Sequence, residues 1–196
     1  LLNTLEPFEI KPKSNNYDLF LSSYDKKKAE DFISQYRPKT IIGINLEGAV
    51  KGKKIDFNEL TKICNGINHK NENIQIVILT APNSFKKVRE KLLQMKLENV
   101  VMSYRTDTIL AVAAIIDRLD LIITPDTSIA HIASAFDKPV VTIHENNKDS
   151  YELFAPISNL SRTVFSDSKN GIKGFSVELL LNYCFEIINL NNKDYD

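Results

Sequence analysis

The chain has 196 residues, of which 43% are hydrophobic and 26% are charged, and its 25 basic and 25 acidic residues give a formal net charge of zero. This length is sufficient for one α/β domain with a full core. The balanced charge argues against a nucleic-acid-binding protein, because such proteins usually carry an excess of Lys and Arg. Cys64 and Cys184 are too few for a disulfide framework or a zinc site, so reduced thiols and no metal site are expected.

The first part of the chain is expected to connect this protein to a preceding domain. Residues 1–16 have a mixed composition with an Asn-rich end, and this composition predicts a linker. Because the sequence begins with Leu1 rather than Met, we expect a piece of a longer protein. Residues 17–22 predict a short strand, and residues 24–36 predict an amphipathic helix.

From residue 40 onward, short apolar runs that predict strands alternate with segments that predict helices. The predicted strands are residues 40–46, 73–80, 99–103, 121–124, 140–143 and 163–165. The predicted helices are residues 57–67, 84–95, 108–119, a segment that begins after Asp126, and 176–190. This alternation predicts an α/β fold with a doubly wound parallel sheet, as one Rossmann-like domain over residues 17–190, followed by a polar tail over 191–196.

One edge of the predicted sheet is of particular interest. The carboxyl ends of parallel strands meet at the same edge, and open α/β sheets bind ligands in the crevice outside it. The positions expected near this edge are Asn45, Thr80, Ser103 and Pro125-Asp126.

The most informative stretch is residues 120–143, which predicts a strand, a turn, a helix and a strand. Its turn contains Asp126, Thr127 and Ser128, three residue types that cap helices. Free N–H groups of Thr127 and Ser128 at the positive end of a helix dipole would suit a phosphate or diphosphate. His131 lies one turn further along the same face. A purely structural interpretation stays open, in which Asp126 only caps the helix and His131 is a satisfied, partly buried histidine.

Residues 108–143 end in the run Ile-Thr-Pro-Asp-Thr-Ser-Ile-Ala-His-Ile-Ala-Ser-Ala-Phe-Asp-Lys-Pro-Val-Val. This run resembles the ADP-heptose:lipopolysaccharide heptosyltransferase family, which carries an Asp-Thr-Gly/Ser-x-x-His element before a helix of small residues and a Pro-Val strand. A weaker resemblance extends over residues 40–190. The resemblance implies the glycosyltransferase B architecture, in which two Rossmann-like domains face each other across a cleft. It places this chain in the second half, which binds the nucleotide sugar.

The resemblance also implies which residues hold the donor diphosphate. In the family, a lysine in the loop after the first core strand contacts this group. Lys53 matches that position best, Lys51 and Lys54 are rivals, and a solvated lysine cluster without a ligand is the alternative. Thr127 and Ser128 would bind the same diphosphate.

The sugar end of the donor would face Asp126. By resemblance, this carboxylate binds sugar hydroxyls, and His131 orients either Asp126 or the phosphate. Because ADP alone carries no such sugar, Asp126→Asn is expected to change ADP affinity very little.

Four further residues are candidate donor contacts. In relatives, the loop before the helix at residues 108–119 lines the adenine, and Thr106 and Asp107 occupy that loop here, where simple helix capping is an equal alternative. Asn45 and Thr80 are candidates because of their position at the same edge of the sheet.

Three positions depart from the family pattern. Glu47 stands where relatives often have a proline, and its charge would repel a phosphate. Ser84 lies where relatives place ribose-binding groups, sometimes a glutamate. His144 occupies a position that is usually glycine in relatives.

By resemblance, the whole enzyme is a glycosyltransferase that moves a heptose from an ADP-heptose-like donor to the inner core of lipopolysaccharide. The family's catalytic base is an aspartate in the other half, so no catalytic residue is expected in this chain, which should be inactive alone. The missing domain would bind a lipid-linked saccharide acceptor. We expect no cofactor and no nucleic-acid partner. The expected location is the cytoplasm, with peripheral contact at the inner face of the inner membrane.

Two alternative functions stay open. One is a domain of another nucleotide-sugar enzyme, either a different glycosyltransferase or an epimerase, which would share phosphate binding at a helix start. The other is a non-catalytic binding domain, in which the departures at Glu47, Ser84 and His144 mark a site that has lost its activity.

Overall fold

A computed structural model describes residues 7–9, 17–37, 39–48, 50 and 52–193. Within these ranges the strands are β1 (Thr40–Asn45), β2 (Ile74–Leu79), β3 (Val100–Met102), β4 (Leu121–Pro125), β5 (Val140–His144) and β6 (Ser161–Phe165). The α-helices are α1 (Ser23–Ile33), α2 (Phe57–Lys70), α3 (Phe85–Met95), α4 (Ile109–Ile116), α5 (Ser128–Ala135), α6 (Lys148–Phe154) and α7 (Val177–Lys193). Most of the predicted linker, the rival lysine Lys51 and the last three residues of the predicted tail lie outside the described residues.

All six strands form one parallel sheet in the order β3-β2-β1-β4-β5-β6, which confirms the predicted fold class. The strand order reverses between β1 and β4, where Ile44 pairs with Ile123. In sheets of this kind, ligands bind in the crevice outside the carboxyl ends of the strands at this switch point. Asn45 ends β1 and Asp126 follows β4, the two strands that flank this point, so the fold places both predicted site residues at the predicted edge.

Helices cover both faces of the sheet. On one face, Ile42 and Ile44 of β1 pack in a cluster with buried residues of α2 and α7. On the other face, Ile41 joins a cluster with buried residues of α1, α4 and α5. Strands that are buried on both faces need apolar residues at consecutive positions, and this requirement produces the unbroken apolar runs seen in the sequence.

Residues 17–22 do not form the predicted strand. Leu19 and Leu21 instead pack against the cluster beneath α1, α4 and α5. The apolar residues that suggested a strand therefore cover a layer of helices, and in the described structure their backbone pairs with no strand of the sheet. The prediction was wrong because an alternating apolar pattern does not specify which surface it covers.

One helix was not predicted, and the ends of α2, α4 and α7 differ by three residues from the predicted ends. Helix α6 was not predicted, although Asn147 caps it by accepting a hydrogen bond from the Ser150 amide at 3.2 Å. This helix has no buried residue, so it lacks the periodic apolar face by which helices are found in sequences. Helix α7 continues to Lys193, so residues 191–193 of the predicted tail are helical.

Candidate functional site

A cleft of about 740 Å³ lies at the carboxyl edge of the sheet. The loops after β1 and β2, the loop before α4 and the start of α5 contribute most of its walls. Of the residues predicted to bind the donor, those that line this cleft are Lys53, Asp126, Thr127, Ser128, Asn45, Thr80, Thr106 and Asp107. His131 is the one predicted residue that does not line it.

Lys53 and Asp126 form an ion pair in the cleft, with Nζ of Lys53 2.5 Å from Oδ2 of Asp126. The side chain of Lys53 is 17% exposed and that of Asp126 is 6% exposed. Each charge is therefore largely removed from water and depends on the other for compensation. The pair places a lysine amine at the mouth of a ligand-binding crevice, where it can also reach an anion.

The conformation of the loop after β1 explains why Lys53 and not Lys54 faces Asp126. Residues Glu47 and Lys54 form an isolated antiparallel bridge, and the Gly48 amide donates to the carbonyl of Lys53 at 2.9 Å. Successive side chains in an extended segment point in opposite directions. Lys54 accordingly pairs with Glu47 at 3.1 Å, while Lys53 points toward Asp126.

Gly48 allows this loop to approach the start of α5. A Cβ atom at this position would lie 2.6 Å from Cγ2 of Thr127 and 3.6 Å from Cβ of Lys53. A 2.6 Å separation between carbon atoms is far inside van der Waals contact. Any larger residue would therefore force the loop and the helix start apart.

The start of α5 offers free backbone donors to the cleft. Thr127 is the N-cap residue, and its hydroxyl accepts from the Ile129 amide at 3.2 Å. Within the described ranges, the amides of Thr127 and Ser128 donate no hydrogen bond. These two N–H groups lie at the positive end of the helix dipole, as an anion site requires.

Asn45 links two segments of the cleft wall by hydrogen bonds, a role that the sequence did not reveal. Its Nδ2 atom donates to Oγ1 of Thr124 at 3.0 Å, to Oγ1 of Thr127 at 3.3 Å and to the carbonyl of Glu47 at 3.1 Å. The amide thus joins the loop after β1 to the turn after β4. Because Asn45 is buried and its donors already have partners, it holds the site together and has no free donor for a ligand.

Glu47 forms a second polar cluster on the cleft wall. Its Oε1 accepts from the Thr80 hydroxyl at 2.7 Å. Burial alone would raise the pKa of the Glu47 carboxyl, but hydrogen bonds from Ser84, Thr80 and Lys54 outweigh burial and lower that pKa. Glu47 is therefore a carboxylate whose charge is compensated inside the protein. This compensation reduces the repulsion of a phosphate that the sequence suggested.

The wall next to α4 is suited to a flat apolar group. Ile109 and Val112 of α4 face Ile129 of α5 across this part of the cleft. Thr106 is buried there, whereas Asp107 is exposed and pairs with Arg105 at 2.7 Å. Neither of them caps α4, since that role belongs to Thr108, whose hydroxyl accepts from the Ala111 amide at 3.1 Å.

His131 lies apart from the other predicted residues. Its ring packs edge-on against Tyr17 at 5.8 Å and against Phe154 at 6.5 Å between centroids. Among the described residues it forms no hydrogen bond with Asp126. The sequence spacing placed His131 on the same helix face as Thr127, but the two aromatic rings hold it outside the cleft.

His144 is fully buried at the end of β5, next to Asp126. Its Nδ1 atom lies 3.9 Å from Oδ2 of Asp126, the same oxygen that pairs with Lys53. Burial lowers the pKa of His144 below its ordinary value of 6.5; Asp126 raises that pKa and Lys53 lowers it. The imidazole is therefore neutral at pH 7. The sequence did not reveal that His144 is buried next to Asp126.

Three features of the described structure outside this cleft bear on where a site lies. Among its residues, no three His, Cys, Asp or Glu side chains come together as metal ligands. A second cavity of about 660 Å³ lies at the amino edge of the sheet, where Arg37 is already paired with Asp120 at 2.8 Å. None of the helices that the structure describes is both long enough and apolar enough to span a membrane.

Comparison with known proteins supplies relatives for this chain. An Escherichia coli K12 protein described as "Putative lipopolysaccharide heptosyltransferase 4" is 25% identical over 173 residues, which are 86% of this chain and 45% of that protein. A glycosyl transferase family 9 structure from Veillonella parvula superimposes with a TM-score of 0.76 at 18% identity, covering 95% of this chain and 58% of the other. E. coli heptosyltransferase WaaC with ADP gives a TM-score of 0.65 at 14% identity, covering 91% and 52%.

The chain thus spans about half the length of the relatives it matches. These two structures share the fold of this chain, although their sequence identity to it is low. The profile of glycosyltransferase family 9 (heptosyltransferase) matches residues 2–179. Because this match covers most of the sequence, the chain belongs to glycosyltransferase family 9, the heptosyltransferase family.

Proposed function

We propose that this chain is the donor-binding half of a heptosyltransferase-type glycosyltransferase and that its cleft holds the diphosphate of an ADP-linked sugar. One observation carries the proposal. The Lys53 amine and the free amides of Thr127 and Ser128 converge in a cleft at the switch point of the sheet. A cation beside unpaired backbone donors at a helix start is the arrangement that binds phosphate groups.

The parts of the donor have distinct positions in this proposal. The diphosphate lies between Lys53 and the start of α5. The adenine lies against the apolar wall of α4, near Thr106 and Asp107. Asp126 faces the sugar, and its carboxylate accepts hydrogen bonds from sugar hydroxyls. His131 is left out of the proposed site because it packs away from the cleft.

The proposed chemistry is displacement at the anomeric carbon of the donor. Negative charge develops on the diphosphate as it leaves, and Lys53 and the α5 amides stabilise that charge. A base must take the proton of the acceptor hydroxyl. We propose that this base, the acceptor site and any peripheral membrane contact belong to another domain. The chain alone would then bind the donor without transferring its sugar.

Three findings from the comparisons support this proposal. The family description names heptosyltransferases, and one structural relative is recorded with ADP. A second relative carries lipopolysaccharide in its description. On this basis we propose a role in lipopolysaccharide core biosynthesis in the cytoplasm, with residues 1–16 as a linker and a donor domain that runs from residue 17 to the end of α7 at Lys193.

Calorimetric titration of ADP into wild type and Lys53→Ala tests the proposal. A charge-assisted contact to phosphate contributes roughly 1.5–3 kcal/mol, so Lys53→Ala should weaken ADP binding by about tenfold to a hundredfold. Lys148→Ala is the matched control, because it removes a lysine charge that is 87% exposed and does not line the cleft. Its ADP affinity should equal that of wild type. If ADP does not bind to wild type, or binds equally to Lys53→Ala, the proposed site is wrong.

A further inference from the structure

His144 is a buried polar side chain whose two ring nitrogens have no hydrogen-bond partner among the described residues. Within the described ranges, neither Nδ1 nor Nε2 of this residue has a partner, although the side chain is 1% exposed. The Tyr151 ring packs edge-on against it at 5.1 Å between centroids, and the Phe165 ring lies at 6.4 Å. Buried polar groups are nearly always hydrogen-bonded, so an unpaired imidazole in a packed interior calls for an explanation.

The nearest charge to this imidazole is the carboxylate of Asp126. Oδ2 of Asp126 has Nζ of Lys53 at 2.5 Å and Nδ1 of His144 at 3.9 Å. Two groups that can carry a positive charge thus approach a single buried oxygen, and only Lys53 is in contact with it. Glu145 and His131 also act electrostatically on His144.

Donor binding would change the surroundings of Asp126. When Lys53 turns from Asp126 to a diphosphate, the carboxylate would be left buried without its cation. A buried charge without a partner is strongly unfavourable, and a protonated imidazole 3.9 Å away can replace the missing cation. His144 therefore offers Asp126 a second counter-ion at the moment when the first one leaves.

We propose that His144 is a positioning residue that takes up a proton from solvent when Lys53 leaves Asp126 for a donor diphosphate, so that donor binding is coupled to proton uptake. The proton adds to the free ring nitrogen, which leaves N–H groups on both nitrogens and places one of them toward Oδ2. No other bond forms or breaks, and the proton returns to solvent when the donor is released. This inference rests on the proposed function, because the donor diphosphate is what draws Lys53 away.

The electrostatics of the site agree with this exchange. Burial lowers the pKa of His144, Asp126 raises it, and Lys53 lowers it. The imidazole is thus neutral while Lys53 is in place. Removal of the lysine charge takes away an influence that lowers this pKa and leaves Asp126 free to raise it.

The first test needs no ligand. The pKa of His144 is measured by NMR titration of the full chain, with the resonance assigned by its loss in His144→Gln. Lys53→Met should raise this pKa, and Asp126→Asn should lower it. Asp126→Asn is isosteric, so it provides a readout even if Lys53→Met fails to fold. An unchanged His144 pKa in the folded variants would overturn the inference.

The closing test uses ADP-glucose in place of ADP. A terminal phosphate titrates near pH 6, whereas both phosphates of ADP-glucose are esterified, so the ligand itself takes up no proton near neutral pH. Calorimetry near pH 7 in buffers of different ionisation enthalpy should show uptake of a fraction of one proton by wild type and none by His144→Gln. The affinity of wild type should rise as pH falls from 8 to 6, by at most about tenfold per pH unit, and that of His144→Gln should stay flat.

The outcomes separate the two proposals. If ADP-glucose binds without proton uptake, or if His144→Gln takes up the same number of protons as wild type, the proposed role of His144 is wrong. The proposed donor site is not affected by either result. If ADP-glucose and ADP both fail to bind, the proposed function is wrong and the donor-linked exchange falls with it. Proton uptake that disappears in both His144→Gln and Asp126→Asn supports the inference.

Discussion

Each edge of the sheet carries an ion pair beside a cavity. The two pairs differ in the number of hydrogen bonds that their charged groups make. At the amino edge, Arg37 makes two contacts to Asp120, at 2.8 and 3.1 Å, and a third to the carbonyl of Arg118 at 3.1 Å. Asp120 also accepts from the Ile41 amide at 2.7 Å. At the carboxyl edge, Lys53 and Asp126 share a single contact.

This difference separates a structural ion pair from one that can exchange partners. The Arg37 pair ties β1 to the turn before β4, and its guanidinium makes three contacts there. The Lys53 pair is more deeply buried, yet alternative partners surround it, namely the free amides at the start of α5 and the unpaired His144. A pair with other partners within reach can open for a ligand at small net cost. The number of hydrogen bonds that an ion pair makes therefore indicates its function better than the presence of opposite charges does.

The largest predicted effect is on stability at the carboxyl edge. Lys53→Met keeps the length of the side chain but leaves Asp126 buried without a cation. Removing one partner of a buried ion pair costs about 3–5 kcal/mol, which should appear as a lower free energy of unfolding in urea at pH 8. The double variant Lys53→Met with Asp126→Asn should recover most of this loss. If the single variant is as stable as wild type, the pair does not compensate a buried charge.

The next largest effect concerns Gly48, which lets the loop after β1 approach the start of α5. Gly48→Ala places a methyl group 2.6 Å from Cγ2 of Thr127. Overpacking of this kind costs about 1–3 kcal/mol and should displace Lys53 from the start of α5. We expect lower stability together with weaker ADP binding. Gly66→Ala is a useful control, because its Cβ would lie 2.4 Å from a Leu181 methyl group away from the cleft, so it should leave ADP affinity unchanged.

A smaller effect is expected from Asp126→Asn on ADP affinity. The sequence alone predicts almost no change, but the ion pair means that Asp126 competes with phosphate for Lys53. Removal of that competition should tighten ADP binding by about threefold to tenfold, or roughly 1 kcal/mol. The gain should disappear in the double variant with Lys53→Met. Weaker ADP binding by Asp126→Asn would show that the carboxylate holds the turn in place rather than competing for the lysine.

The fold was largely predictable because its central strands β1, β2, β4 and β5 are buried on both faces. The run Thr40–Asn45 is recognisable in the sequence because the clusters on both sides of the sheet require apolar residues at consecutive positions. Helix α6 was missed because it buries no residue and so has no apolar face. The false strand at residues 17–22 shows the opposite failure, since Leu19 and Leu21 form an apolar pattern that covers helices.

The position of the candidate site could be predicted, but its internal contacts could not. Parallel strands place Asn45 and Asp126 at one edge whatever their side chains do. The orientation of Lys53 depends on the antiparallel bridge between Glu47 and Lys54, which is a contact that no local pattern specifies. The burial of His144 next to Asp126 depends on packing around the end of β5, which is likewise a tertiary property.

The smallest predicted effect is at the amino edge, with Arg37→Gln. The Arg37 and Asp120 side chains are 44% and 33% exposed, and ion pairs this close to water contribute about 0–1 kcal/mol. Asp120 keeps its hydrogen bond from the Ile41 amide after the substitution, and water can replace the guanidinium. Unfolding in urea should therefore show a loss of about 1 kcal/mol or less, and calorimetry should show unchanged ADP affinity. A loss as large as that of Lys53→Met would mean that burial does not separate the two pairs, and a change in ADP affinity would mean that the amino edge also contributes to ligand binding.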